Sequence, residues 1–507
     1  MTRRRTQILP AMLLAGSVMG LAGSVAAQDN RAEPALSTLS DAELEQRVRE
    51  YMFAVQADHC TFGASLAQEM LRRQPNDRRA NITKRFAEVN CAVQKGEFQS
   101  AYAGLVALET EGFIMSSSMG LFLAERTNNV EASLIRLQRY LNDLAKSPRL
   151  GDETRVAYAT FTMLLRANEE QRLGALAFEQ TKHADFSKLD PDMRSALASL
   201  ALDQIVRTDP AAAPDLLAEI KSPGALRRLL LLRRYETIWP AVEQRVGQQF
   251  AKIDEEYLAS ARAAYEGDRG NPAKLNIYVN ALWETGKIND IAPLVEQVTP
   301  ASDDWSAIDE GLAWAINIQA FALDELGRTA EADQLFERLA EVENPYWQVN
   351  FVTNRAIRLA TQGRWEEALQ AQAKAEAVAR DSGTDYSRGL AAEIKVCSLS
   401  KLGRDAEAAA LLPQLRALGK DGAMPVAEAL MCLGREPEGA TLLTTLINDP
   451  VYGDQTALNL LPGRPESRIG AGFMPSADTL IDSHPELREA LLRRVRLFPP
   501  EFQRVSP

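Results

Sequence analysis

The stretch Ile316–Leu339, INIQAFALDELGRTAEADQLFERL, decides the fold. Ile316, Ala320 and Leu323 recur at helical spacing. Gly327-Arg328 interrupts the run, and Ala332, Leu335, Phe336 and Leu339 resume it at i, i+3, i+4, i+7. The pattern predicts two antiparallel helices with small residues where they cross. Such a hairpin cannot bury its apolar stripe alone, so it needs stacked copies of itself.

The chain supplies them. A turn glycine is followed five residues on by a residue that is usually small, and nine and twelve on by residues that are usually apolar. Gly96 has Ala101, Leu105 and Leu108; Gly286 has Ile291, Val295 and Val298; Gly327 has Ala332, Phe336 and Leu339. Gly363 has Ala368, Gln372 and Ala375; Gly403 has Ala408, Leu412 and Leu415; Gly434 has Gly439, Leu443 and Leu446. Four of these turns read Gly-Arg. Glycine permits the tight turn, the small residue lets the helix axes approach, and the apolar pair fills the seam with the next hairpin.

This template resembles the tetratricopeptide repeat family. Gly327-x4-Ala332-x3-Phe336-x2-Leu339 is its best copy, and Gly363-Arg364-Trp365-Glu366-Glu367-Ala368 follows it closely. Successive turn glycines from Gly286 to Gly434 lie 41, 36, 40 and 31 residues apart, against a family period of about 34. The repeats are therefore degenerate, and the proline that often ends the family's second helix is mostly missing. The resemblance covers residues 271–448 and, less closely, 39–112. It implies an all-α fold, a right-handed α-solenoid of helical hairpins. Residues 113–270 read as irregular hairpins, either continuing the array or forming a separate helical domain. Residues 449–483 are irregular. Residues 484–507 form a capping helix and tail, with an apolar stripe of Leu487, Leu491 and Val495. Arg488, Arg493, Arg494 and Arg496 give that helix a second reading, a basic docking element.

Composition agrees with close helix packing. Of 507 residues 46% are hydrophobic and only 7% aromatic, which favours helices over β-sandwiches. The first residues read as an export signal. Arg3, Arg4 and Arg5 precede an apolar run from Ile8 to Leu21, and Val25-Ala26-Ala27 suits cleavage before Gln28. An uncleaved anchor is the alternative. Residues 1–27 are thus expected to be a signal peptide and 28–38 a flexible leader. No cysteine precedes Cys60, so N-terminal lipidation is not expected. Loss of the three arginines moves the net charge from −12 to −15, which argues against nucleic acid as the main partner. The expected compartment is the periplasm, with no membrane span after cleavage.

Motifs for chemistry are poor. The three histidines, His59, His183 and His484, are scattered, and no Cys/His cluster suits a metal. Ser398-x-x-Lys401 matches the pattern of penicillin-interacting serine enzymes but lacks their companion motifs. Glu466-Ser467 matches a pair found in lytic transglycosylases, with no catalytic domain after it. Gly470-Ala471-Gly472 follows no strand and opens no helix. The expectation is a non-enzyme with no cofactor or metal. Cys60 and Cys91, and Cys397 and Cys432, lie about one repeat apart. That spacing predicts two disulfides, each between the ends of consecutive first helices.

In the resembled family the first helices line a concave groove that accepts peptides. Counting back from the turn glycines places Asn276, Asn280 and Trp283 on that face. Trp314, Asn317, Phe321 and Asp324 follow, then Asn350, Thr353 and Asn354. Asparagines can pair with main chain and aromatics can anchor a partner. The resemblance implies an exported scaffold that binds a protein or peptide of the cell envelope. The rival readings are a carbohydrate or small-ligand binder using the tryptophan-rich centre, and an accessory subunit of a muralytic enzyme.

Overall fold

The computed structural model describes residues 36–53, 59–113, 116–146, 157, 160–161, 163–165, 169–183, 186–189, 191–300, 305–306, 308–344, 347–461, 477–499 and 502. Among them every element is a helix, and the one β contact is an isolated antiparallel bridge between Leu232 and Val495. The expected signal peptide lies outside the described residues, as do Glu466-Ser467 and Gly470–Gly472. Contacts divide the chain into two compact units between Met193 and Arg194. The sequence reading had put its boundaries at 112 and 270.

The amino-terminal unit contains the helices Asp41–Phe53, His59–Arg73, Arg78–Gln94, Phe98–Thr110, Ser117–Arg126, Val130–Lys146 and Glu170–Thr181. Its first helix starts with a reciprocal cap. The Ser40 backbone N–H donates to Glu43 Oε2 at 2.7 Å, and the Glu43 N–H donates to Ser40 Oγ at 3.3 Å. Cys60 and Cys91 are bonded, with Cα atoms 4.6 Å apart. They do not join consecutive first helices as expected. Cys60 opens the helix His59–Arg73 and Cys91 lies near the end of Arg78–Gln94. The two helices run antiparallel, so the start of one meets the end of the next. Replacing both cysteines with serine should cost this unit about 3 kcal/mol, read as a lower midpoint in denaturant with Cys397–Cys432 left intact.

In the carboxy-terminal unit the glycine template becomes geometry. Gly286, Gly327, Gly363, Gly403 and Gly434 all have φ between +70° and +77°. The residue after each glycine donates its N–H five residues back in the helix-ending pattern, as Arg328 N–H does to Leu323 O at 2.8 Å. The fifth-on residues Ile291, Ala332, Ala368 and Ala408 are fully buried. At the Gly434 hairpin this place is Gly439, where a Cβ would lie 2.9 Å from the Ala427 carbonyl oxygen. The first helix passes so close that only glycine fits there. The ninth-on Gln372, polar in the template, is buried and donates to Glu376 Oε2 at 2.9 Å.

Each Gly-Arg turn carries a further feature. The arginine binds the glutamate three residues on: Arg328 with Glu331, Arg364 with Glu367, Arg404 with Glu407 and Arg435 with Glu438. The glutamate sits in the first turn of the second helix, where the helix dipole favours an anion. Arg364 also reaches Asp333 of the preceding hairpin at 2.8 Å.

First helices neighbour one another. Trp314 in the helix Glu310–Glu325 lies 4.9 Å from Phe351 in Gln348–Thr361, ring centre to ring centre. Cys397 in Asp385–Lys401 is bonded to Cys432 at the end of Ala423–Cys432, Cα to Cα 5.1 Å. This second disulfide has the expected placement.

The chain then returns on itself. The helix Pro485–Arg494 packs on Glu436–Asn448 with Leu487, Ala490 and Leu491 buried. Pro485 opens it, and His484 at the N-cap makes no side-chain cap bond. Beyond it, Arg496 N–H donates to Leu231 O at 2.9 Å and Arg496 Nε to Leu230 O at 2.7 Å. Phe498 stacks on Phe250 at 6.3 Å. Within this unit contacts therefore run from the segment 223–250 through every hairpin to residue 498 and back. The helix Ala213–Glu219 ends at Ile220, and Ser222 caps the helix Pro223–Leu231.

Candidate functional site

The ten residues assigned to the first-helix face divide by depth. Asn276, Asn280, Trp283, Trp314, Asp324, Asn350 and Asn354 are partly exposed. Asn317, Phe321 and Thr353 are buried. Phe321 packs edge-on against Phe336 at 4.7 Å and belongs to the core. Thr353 is fully buried and its Oγ1 has no hydrogen-bond partner among the described residues. These two are not available to a ligand. Counting back from a glycine finds a face of the helix, but that face includes positions turned into the seam with the next hairpin.

The asparagines are partly engaged. Asn280 Nδ2 donates to Asn276 O at 2.8 Å and to Asn276 Oδ1 at 2.9 Å, along one helix face. Asn354 Nδ2 donates to Asn317 Oδ1 at 3.1 Å, joining consecutive first helices. Trp314 Nε1 donates to Glu310 Oε1 at 3.3 Å. Of the six tryptophans, Trp305 and Trp347 are core residues around Phe351 and Ile316.

Asp324 serves the protein rather than a ligand. Arg358 donates to it from Nε and from Nη2, the latter at 2.7 Å, and from Nη1 to Asp333. The guanidinium lies 5.0 Å from the centre of the Phe336 ring and is 3% exposed. Arg364 completes the group by binding Asp333 and Glu367. Burial pushes the Asp333 carboxyl up, but hydrogen bonds from Arg358 and Arg364 outweigh it and hold it below the usual range. Sequence reasoning missed this network. The one local signal was the repeated Gly-Arg-x-x-Glu.

A second polar group was also missed. Glu393 and Glu428 are both buried, one on each of two adjacent first helices. They are 35 residues apart, the separation of Cys397 and Cys432, and that shared offset was the available signal.

Ser398 of the Ser-x-x-Lys motif is fully buried. Among the described residues no group of three or more His, Cys, Asp and Glu side chains is placed to hold a metal. No helix there is long and apolar enough to cross a membrane. The amino-terminal unit has a cleft of about 370 Å³ beside its disulfide, lined by Ala64, Ala67, Leu71, Lys84 and Glu88 among others. Two of the terminal arginines are used internally: Arg494 Nε donates to Ile447 O at 2.9 Å, and Arg496 pairs with Glu243 at 2.8 Å. Arg488 and Arg493 are exposed. Compared with protein-family models and with curated proteins, the chain matches none.

Proposed function

We propose that residues 271–448 are a right-handed α-solenoid of tetratricopeptide-like hairpins, and that the chain is an exported periplasmic scaffold. On this reading the first-helix face binds an extended segment of a cell-envelope protein. The observation that carries it is the succession of partly exposed asparagines and tryptophans on neighbouring first helices: Asn276, Asn280 and Trp283, then Trp314, then Asn350 and Asn354. An asparagine amide offers donor and acceptor to a main chain, and a half-buried indole offers area at small entropic loss. The two disulfides suit an oxidising compartment, as the Arg3–Ala27 leader does. Burial of Trp305 and Trp347 removes part of the aromatic surface that a carbohydrate binder would use.

The test places a photo-crosslinking residue at position 280 or 354 of the protein in intact cells, with exposed Ile135 as control position. Both groove positions should capture the same protein and position 135 should not. With that partner purified, Trp283→Ala should weaken binding about tenfold. Absence of any specific adduct at 280 and 354 would sink the scaffold reading.

A further inference from the structure

The seam between the helices Asp385–Lys401 and Ala423–Cys432 holds two features one helical turn apart. Cys397 and Cys432 close it covalently. Four residues earlier on each helix, Glu393 and Glu428 face each other, 2% and 8% exposed. Two carboxylates buried side by side in one seam repel each other, so one of them is held protonated. Glu393 Oε2 has no hydrogen-bond partner among the described residues. Pro425 packs against Gly389 a further turn along, where a Cβ would lie 3.0 Å from Pro425 Cγ. The helices are therefore in close contact on both sides of the carboxyls, and water has little room to solvate a second charge.

The surrounding charges are engaged elsewhere. Tyr386, on the same helix as Glu393, lies near the pair: burial and the two neighbouring glutamates push its phenol up. On the flanking elements Glu376 is bound by Lys395 at 3.0 Å and Arg404 by Glu407 at 2.7 Å. Arg416 pairs with Glu438 at 3.4 Å, Arg358 with Asp324 and Asp333, and Asp405 accepts from Ser400 Oγ at 2.8 Å.

We propose that this seam is a proton-operated joint which the Cys397–Cys432 disulfide holds shut: once the disulfide is reduced, loss of the carboxyl proton parts the two helices and exposes the thiols. Burial and, for Glu393, the neighbouring Glu428 raise both carboxyls above their ordinary value of 4.5. A raised acid stabilises the fold fully below that ordinary value, and the contribution is lost as pH rises through the folded-state value. Opening is thus an alkaline event. With the disulfide intact the helix ends stay tethered and the joint cannot open. The proposal does not depend on the scaffold reading.

The experiment uses the full-length protein reduced with dithiothreitol, which gives two electrons and two protons to each disulfide and leaves as its cyclic disulfide. Iodoacetamide labelling of each cysteine is followed by mass spectrometry at pH 6 and pH 8.5, for the native sequence, Glu393→Gln and Glu428→Gln. An amide reproduces the protonated carboxyl and cannot ionise. Cys60 and Cys91 report thiol ionisation in the same tube. At pH 8.5 Cys397 and Cys432 should label about tenfold faster in the native sequence than in either variant, and at pH 6 the rates should agree. Equal rates at pH 8.5 overturn the proposal. So does failure of both variants to fold at pH 6, because the amide is expected to hold the seam.

Discussion

Arg358→Ala should lower the unfolding free energy of the carboxy-terminal unit by about 3 kcal/mol. The guanidinium is almost wholly buried and binds two carboxylates on two different helices of the preceding hairpin. Its removal leaves Asp324 and Asp333 partly buried with a donor lost, a larger penalty than the missing contacts alone. Asp333 keeps Arg364 at 2.8 Å, which places the effect at the lower end of the range for broken buried pairs. Arg358→Met, which restores packing on Phe336 but not charge, should recover less than half of the loss. The pH dependence has a definite sign. The Asp333 carboxyl is depressed below its ordinary 3.8, so its contribution is present above that value and fades as pH falls through the lower, folded-state one. Denaturant titrations at pH 7 and pH 3 should therefore show the native sequence and Arg358→Ala converging at the lower pH. A loss below about 1 kcal/mol at pH 7 would mean that the network behaves as a surface ion pair.

Deleting residues 484–507 should have the larger effect, about 6 kcal/mol from the buried side chains of Leu487, Leu491 and Val495 alone. That is within the whole stability of an ordinary domain. The tail also covers residues far behind it in sequence. Arg496 lies over the Trp239 ring at 3.9 Å, and Phe498 stacks on Phe250, a fully buried residue held at φ +58°. A bulky side chain in the left-handed region is strained and persists only where its surroundings fix it. Without the tail the segment 223–250 should become the first site of trypsin cleavage, at Arg227, Arg228, Arg233 or Arg234. A truncated chain that still melts cooperatively, with that segment resistant, would contradict the role assigned to the returning tail.

What could be read from the sequence was local. A left-handed glycine, a small residue five places on and an apolar pair lie within one hairpin, and their geometry follows from neighbours a few residues away. The disulfide Cys397–Cys432 was legible because repeat spacing converts a long-range contact into a count. The same count misplaced Cys60, since it assumed a first helix where the chain runs in a second. It also could not tell groove from seam: Asn354 and Thr353 are adjacent in sequence, yet one is partly exposed and the other is fully buried. The Arg358 network needed knowledge of which faces meet. The return of the tail joins residues more than 250 apart, Arg233 with Leu492 and Arg496 with Leu230, and no periodicity in the chain encodes that pairing. Glu393 and Glu428 look like ordinary solvated helix residues until the pairing of the two first helices puts them in the same seam as the cysteines.

The two disulfides also define the covalent map of the molecule. All four cysteines are used, one bond closing 31 residues and the other 35. Neither loop spans the boundary between Met193 and Arg194. Each disulfide therefore lies within one unit, and each unit carries its own staple. Oxidising or reducing one bond leaves the connectivity of the other half unchanged, so the chain has two redox-addressable parts rather than one cross-linked whole.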